Sequence, residues 1–167
     1  KEKIYYQYMN DVPMAGYKDA NGKYIKGIED YLLENGQYRT EEHQKMVVQD
    51  ITENWITISH NHKFHGIFAT SSIPEAVQYY KRFKDMAPEL KVTALFDPSI
   101  DNNGTGIQKE DALIELIEDY NKRYHQTFTI PTWDKMKKDI QYRLSHKKPY
   151  ERIEFAPEEQ IDLLIVV

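Results

Sequence analysis

The sequence predicts an α/β domain, a parallel sheet with flanking crossover helices, preceded by a helical lead-in. Two observations predict it. From His65 onward, short apolar runs alternate with amphipathic stretches, the grammar of strand, helix, strand. Each amphipathic stretch repeats its apolar residues at helical spacing behind a capping residue or a proline. In chain order, Tyr5, Tyr6, Tyr8 and Tyr17 precede Asn21-Gly22, a pair that favours a tight turn with positive φ. A helix is expected from about Ile25 to Glu34, closed by Gly36. A second should run from Glu41 to Ile58 behind a Thr40 N-cap, with Val47, Ile51, Trp55 and Ile58 inward.

Ile67-Phe68-Ala69 is the first strand. Ser72-Ile73-Pro74-Glu75 reads as a capping box, in which the Ser oxygen takes a helix N–H and the Glu reaches back. Ala76, Tyr80, Phe83 and Ala87 then mark the buried face of a helix ending near Pro88. Val92 to Phe96 is a second buried strand. After a loop holding Asn103-Gly104, a long helix runs from about Gln108 to His125 with Leu113, Leu116, Ile117, Tyr120 and Tyr124 inward. Lys122 and Arg123 near its end complement the macrodipole. Thr132 caps a third helix with Trp133, Met136, Ile140 and Leu144 inward, and Leu163 to Val167 is the third strand.

Length and composition bound what such a domain can be. The chain has 167 residues, 40% of them hydrophobic, and 22 Lys+Arg against 27 Asp+Glu give a formal charge of -5. With a mean hydropathy of -0.74 this suits one ordinary domain that buries roughly 70% of its unfolded surface. The absence of cysteine rules out disulfides, thiolate zinc sites and Cys nucleophiles. No apolar run approaches the ~20 residues that cross a bilayer. Lys1 to Ile4 carries neither a signal segment nor an initiator Met, and Ile161 to Val167 stops at its most apolar point. The expectation is a cytoplasmic piece of a longer chain.

Several motifs fail on their chemistry. Gly16 to Tyr24 has the wrong spacing for a phosphate loop, with Tyr24 where a Ser or Thr must bind Mg²⁺. Asp101, Asn103 and Thr105 begin a calcium-loop pattern whose twelfth position is Ala112. His60, His62 and His65 lack a carboxylate or thiolate to complete a metal set and read as histidines of a helix-strand junction, so no metal site is expected. No catalytic residue is identified. Two features remain. Residues 135–152 hold Lys135, Lys137, Lys138, Arg143, Lys147, Lys148 and Arg152 against Asp139 and Glu151, a local charge of +5 in an acidic chain. Such a stretch either neutralises phosphates or forms a solvated face. Thr70-Ser71-Ser72 is a strand-to-helix corner where hydroxyls and helix N–H groups gather beyond a strand end, the usual place for anions in α/β sheets.

At this corner Phe64 to Phe83 (FHGIFATSSIPEAVQYYKRF) resembles helicase motif IV of the R subunit of type I restriction-modification enzymes. Ile161 to Val167 (IDLLIVV), after the helix near Asp134 to Leu144, is similar to the approach to motif V of the same subunit. The resemblance covers about Lys63 to Val167. It implies an incomplete RecA-like, P-loop-NTPase-type three-layer fold, with residues 63–167 forming the N-terminal part of the second motor domain and 1–62 a lead-in to it. The family's subunit combines an endonuclease domain with two RecA-like domains of superfamily 2 type, and works with modification and specificity subunits on double-stranded DNA. ATP and Mg²⁺ would bind mainly outside this segment, leaving the isolated chain inactive. Carried over, motif IV sets Thr70, Ser71 and Ser72 near the DNA backbone, supported by Phe68 and Ala69. Lys138 and Arg143 are the candidate DNA contacts of the basic stretch. Two alternatives stay open, another superfamily 2 translocase and a non-catalytic α/β phosphate- or nucleotide-binding module.

Overall fold

The computed structural model describes residues 16–27, 40–96 and 106–167, apart from the side chains of 106–109. The chain divides into two compact units, Lys1–Gln44 and Lys45–Val167. The first contains a small antiparallel hairpin, β1 (Tyr17–Lys18) and β2 (Tyr24–Ile25), with Tyr17 opposite Ile25. Its turn is organised by Asp19, whose carboxylate accepts the N–H groups of Asn21 and Lys23 at 2.9 Å, while Gly22 takes the positive φ of 77°. Ile25 is thus a strand residue. Lys26 and Gly27 are not helical either, and residues 28–34 of the helix expected to start there lie outside the described residues.

Thr40 caps α1 (Glu41–Glu53) as expected, its hydroxyl accepting the His43 N–H. The expected run to Ile58 is broken, however. The Asn54 amide turns back onto the Asp50 carbonyl, and a separate turn α2 (Trp55–Ile58) follows. Val47 and Ile51 pack half-buried against the core beside fully buried Val48, and Trp55 is buried, but past the break Ile58 is half exposed.

The sheet is all parallel, with order β3 (Gly66–Ala69), β5 (Leu163–Val166), β4 (Val92–Leu95). Gly66 pairs with Leu163, which in turn pairs with Val92. The chain crosses from β3 to β4 and then returns to β5 between them. Two right-handed crossovers running in opposite directions must lie on opposite faces. Accordingly α3 (Ile73–Met86) covers one face, where Phe68 meets the rings of Tyr79 and Phe83 at 4.7 and 6.1 Å. On the other face α5 (Trp133–Leu144) borders Leu95 and Leu164. Between the two helices on the β4 side lies α4 (Gly106–Tyr124). It bonds α3 through Tyr80 to Asp119 at 2.8 Å and α5 through Tyr120 to Asp139 at 2.7 Å. This is the α/β, three-layer, incomplete RecA-like arrangement the sequence predicts.

The expected inward faces of α3 and α4 are all buried. Each of the large aliphatic side chains and Phe83 among them contributes roughly 1.5–3 kcal/mol. At Gly66 the packing leaves no room for a side chain: a Cβ would sit 2.7 Å from Leu163 Cδ1 and 3.1 Å from the Trp55 ring. Thr132 is not the side-chain cap of α5. It belongs to a 3₁₀ turn, Ile130–Thr132, and its hydroxyl instead accepts the Thr129 N–H at 2.8 Å.

Candidate nucleic-acid interface

The corner follows directly from the end of β3. Thr70 continues the ladder, donating its N–H to the Val166 carbonyl at 2.9 Å, and its hydroxyl donates to the same oxygen at 2.9 Å. The last residue of β5 is thereby held twice by the first residue past β3. Ser72 is extended and caps α3, accepting the Glu75 N–H at 3.4 Å. The capping box closes one residue away from its expected place. The Glu75 carboxylate accepts the N–H and the hydroxyl of Ser71, both at 2.7 Å, rather than the N–H of Ser72. A carboxylate at a helix start is favoured by the dipole and by charge-assisted bonds. Of the three hydroxyl residues, Ser71 is the exposed one, while Thr70 and Ser72 are half-buried.

The basic stretch is divided by the fold. α5 runs antiparallel to the strands, from the end where Trp133 leans on Phe96 to the end where His146 meets His65. Lys135 and Lys138 therefore stand towards the finishing end of the sheet, and Lys147 and Lys148 near its starting end. All four are exposed and make no ion pair among the described residues. Lys137 is committed to Asp134 at 2.6 Å.

Arg143 is the correction. Its side chain is 0% exposed, so it has no surface to offer a phosphate. Nε donates to Asp139 at 2.8 Å, one terminal nitrogen to the Glu159 carbonyl at 2.8 Å and to its carboxylate, and the other to the Tyr150 hydroxyl at 2.8 Å. The guanidinium lies 4.2 Å from the ring centres of both Tyr124 and Tyr150. Burial works to lower its pKa, yet the bonds to Asp139 and Glu159 outweigh it and the pKa rises. Burial, then bonding to Asp139, likewise raises Tyr120 and Tyr150. The signal was present in the spacing: position 143 is three after Ile140 and seven after Met136, on the buried face. What spacing could not supply is Glu159, which completes the cage from beyond the helix.

Asp162 was also missed. It is 4% exposed and sits where the three strands begin. Its carboxylate accepts the Lys91 N–H and ammonium, both at 2.9 Å, and its carbonyl accepts the Gly66 N–H at 2.8 Å. Nearby, His65 Nδ1 donates to the Ile161 carbonyl at 2.5 Å. His62 Nδ1 lies 3.9 Å from Asp162. Among the described residues no three His, Asp or Glu side chains converge in a way that could hold a metal ion. None of the described helices is long and apolar enough to cross a membrane.

These features define a class: a parallel α/β layer structure whose strand ends present a hydroxyl-bearing strand-to-helix corner. The family described as type I restriction enzyme subunit R domain 3 matches residues 62–167, and the chain belongs to it. It is also 25% identical, over 70% of its length, to the type I restriction enzyme SsaAORF53P endonuclease subunit of Staphylococcus saprophyticus. The aligned part is 13% of that relative.

Proposed function

We propose that this chain is part of the ATP-driven DNA-translocating motor of a type I restriction endonuclease R subunit, and that residues 63–167 open its second RecA-like domain. The double tie from Thr70 to Val166 carries the reading. In a motor, the corner that faces the DNA backbone has to be coupled to the strand leading towards the ATP cleft, and here the Thr70 bond pair joins that corner to β5. The description of the family as a third domain suits an order of endonuclease domain, first motor half, second motor half. Ser71 is the phosphate-facing residue, since its hydroxyl and N–H are exposed donors held by a carboxylate that a phosphate can replace. A grip of this kind reads no sequence, as a motor on arbitrary DNA requires. Lys138 adds a screened backbone contact, whereas Arg143 serves the fold.

The sequence has no phosphate loop, and among the described residues no group of three or more metal ligands converges, which supports placing the nucleotide elsewhere. ATP and Mg²⁺ are assigned to other parts of the parent subunit, and the isolated chain is expected to hydrolyse nothing. Double-stranded DNA, the endonuclease domain, the first motor half, and modification and specificity subunits are the proposed partners, in the cytoplasm. The deciding measurement is DNA-stimulated ATPase of the full-length subunit carrying Ser71→Ala. A clear fall with an unchanged melting temperature is expected, and unaltered stimulation would remove the assignment.

A further inference from the structure

The histidines of the junction before β3, His60, His62 and His65, find no completing ligand within their own stretch of sequence. The fold brings another to them. His146, in the turn after α5, places its Nε2 3.4 Å from the Nε2 of His65, with the ring planes 78° apart. That separation is longer than the roughly 2.7–3.2 Å of an ordinary N–H hydrogen bond. It matches the span of two imidazoles on one tetrahedral ion, where bonds of about 2.0–2.1 Å set the nitrogens about 3.3–3.4 Å apart. The tautomer also fits. The Nδ1–H of His65 donates to the Ile161 carbonyl at 2.5 Å, so the uncharged ring carries its lone pair on Nε2. A carbonyl behind the ring is what orients a ligating histidine on its metal. Both rings must tip so that their lone pairs meet off the line between them, and His146 has the room, being exposed at φ 50° beyond the helix.

We infer that His65 and His146 form a two-histidine clamp for a divalent transition-metal ion of the zinc, nickel or copper class, at the starting end of the sheet. Imidazole suits these ions, whereas Mg²⁺ and Ca²⁺ take oxygen ligands, which the clamp lacks. The neighbouring groups are engaged elsewhere. Asp162 is 4% exposed and holds the Lys91 ammonium at 2.9 Å, and His62 lies 3.9 Å from Asp162. Water therefore fills the remaining positions, and the ion exchanges, because two protein ligands are half of a closed structural zinc site. The ion bridges the entry to β3 and the exit from α5, which lie 81 positions apart in sequence. The unfolded chain does not hold this pair together, so binding strengthens the folded starting end. The clamp is separate from the DNA corner and stands without the motor reading.

The test uses the full-length subunit, stripped of metal by a chelator and kept free of DNA and ATP. Diethyl pyrocarbonate acylates an unprotonated imidazole nitrogen, and mass spectrometry of the peptides gives the rate at each histidine. Titrating Zn²⁺ should slow the reaction of His65 and His146 along one curve, by at least about tenfold at saturation. His60 should keep its rate, and Mg²⁺ should protect neither member of the pair. His146→Asn places a residue tolerant of positive φ in the turn, and it should abolish the zinc protection of His65. His65→Gln should do the same for His146, and an unchanged His60 rate in both variants reports an intact fold. Rates unaffected by Zn²⁺, protection of one histidine alone, protection by Mg²⁺, or protection of His65 that survives His146→Asn would each overturn the inference.

Discussion

The two ends of the three-stranded sheet are held by different chemistry. At the starting end, Asp162, Lys91, Arg143, Glu159 and Asp139 form buried or half-buried charge-assisted bonds that fix the approach to β5. At the finishing end, the hydroxyls of Thr70 and Ser72 bond backbone groups, and the one charged bond there, from Ser71 to the Glu75 carboxylate, is exposed to solvent. Buried charges are costly to disturb, because removing one partner strands the other. Hydroxyl bonds to backbone groups cost about 1 kcal/mol to exchange, and an exposed charged bond can be traded for water or for another anion. The starting end thus keeps the strands in place while the finishing end stays free to trade its bonds for a ligand's.

The sharpest way to break this contrast is Arg143→Met. It leaves Asp139 and Glu159 without their cation and should lower stability by about 3–5 kcal/mol, read as a large fall in the urea midpoint. Arg143→Lys should recover little, since one ammonium cannot reproduce the fork. If instead stability held and DNA binding fell, Arg143 would belong with the surface lysines after all. Gly66→Ala comes next. Its Cβ would press on Leu163 and Trp55, at an expected cost of about 1–3 kcal/mol in the same unfolding assay.

At the other end the effects on stability should be smaller and those on function larger. Ser72→Ala should cost about 1 kcal/mol by loss of the cap, and Ser71→Ala almost nothing, while only the latter strongly reduces DNA-stimulated ATPase. Matching melting shifts for both, with ATPase intact, would erase the distinction. Glu75→Gln replaces a charged competitor by a neutral one at Ser71 and should tighten DNA binding by the full-length subunit. Weaker binding would show that the carboxylate positions Ser71 instead of competing for it.

The smallest effect concerns the link between α3 and α4. A bond from the Lys84 ammonium holds the Glu115 carboxyl below its ordinary range, with Lys81 also helping against burial. Lys84 is raised, chiefly by its bond to Asp119. The Glu115 contribution is present above the ordinary carboxylate range and lost as pH falls through its lowered value. The Lys84 contribution is present at neutral pH and lost as pH rises through its raised value. Both groups are more than a third exposed, so each should amount to less than about 1 kcal/mol. Unfolding curves of Glu115→Gln against pH would reveal it as a difference that vanishes in acid.

The sequence by itself determined the order of strands and helices from His65 onward, the inward faces of α3 and α4, the cap at Ser72 and the family. Each of these depends on residues near one another in the chain, or on a motif that survives as letters. It misplaced the limit of α1, because one Asn side-chain bond to the backbone at position 54 outweighs an apolar period. It assigned Arg143 to a surface because seven basic residues looked like one patch. Only the tertiary structure decided otherwise, by bringing Glu159 from beyond α5 to meet Asp139 and Tyr150 around the guanidinium, and by sending α5 from one end of the sheet to the other. Partners separated in sequence leave no period and no spacing, so their pairing exists only once the strands are in register.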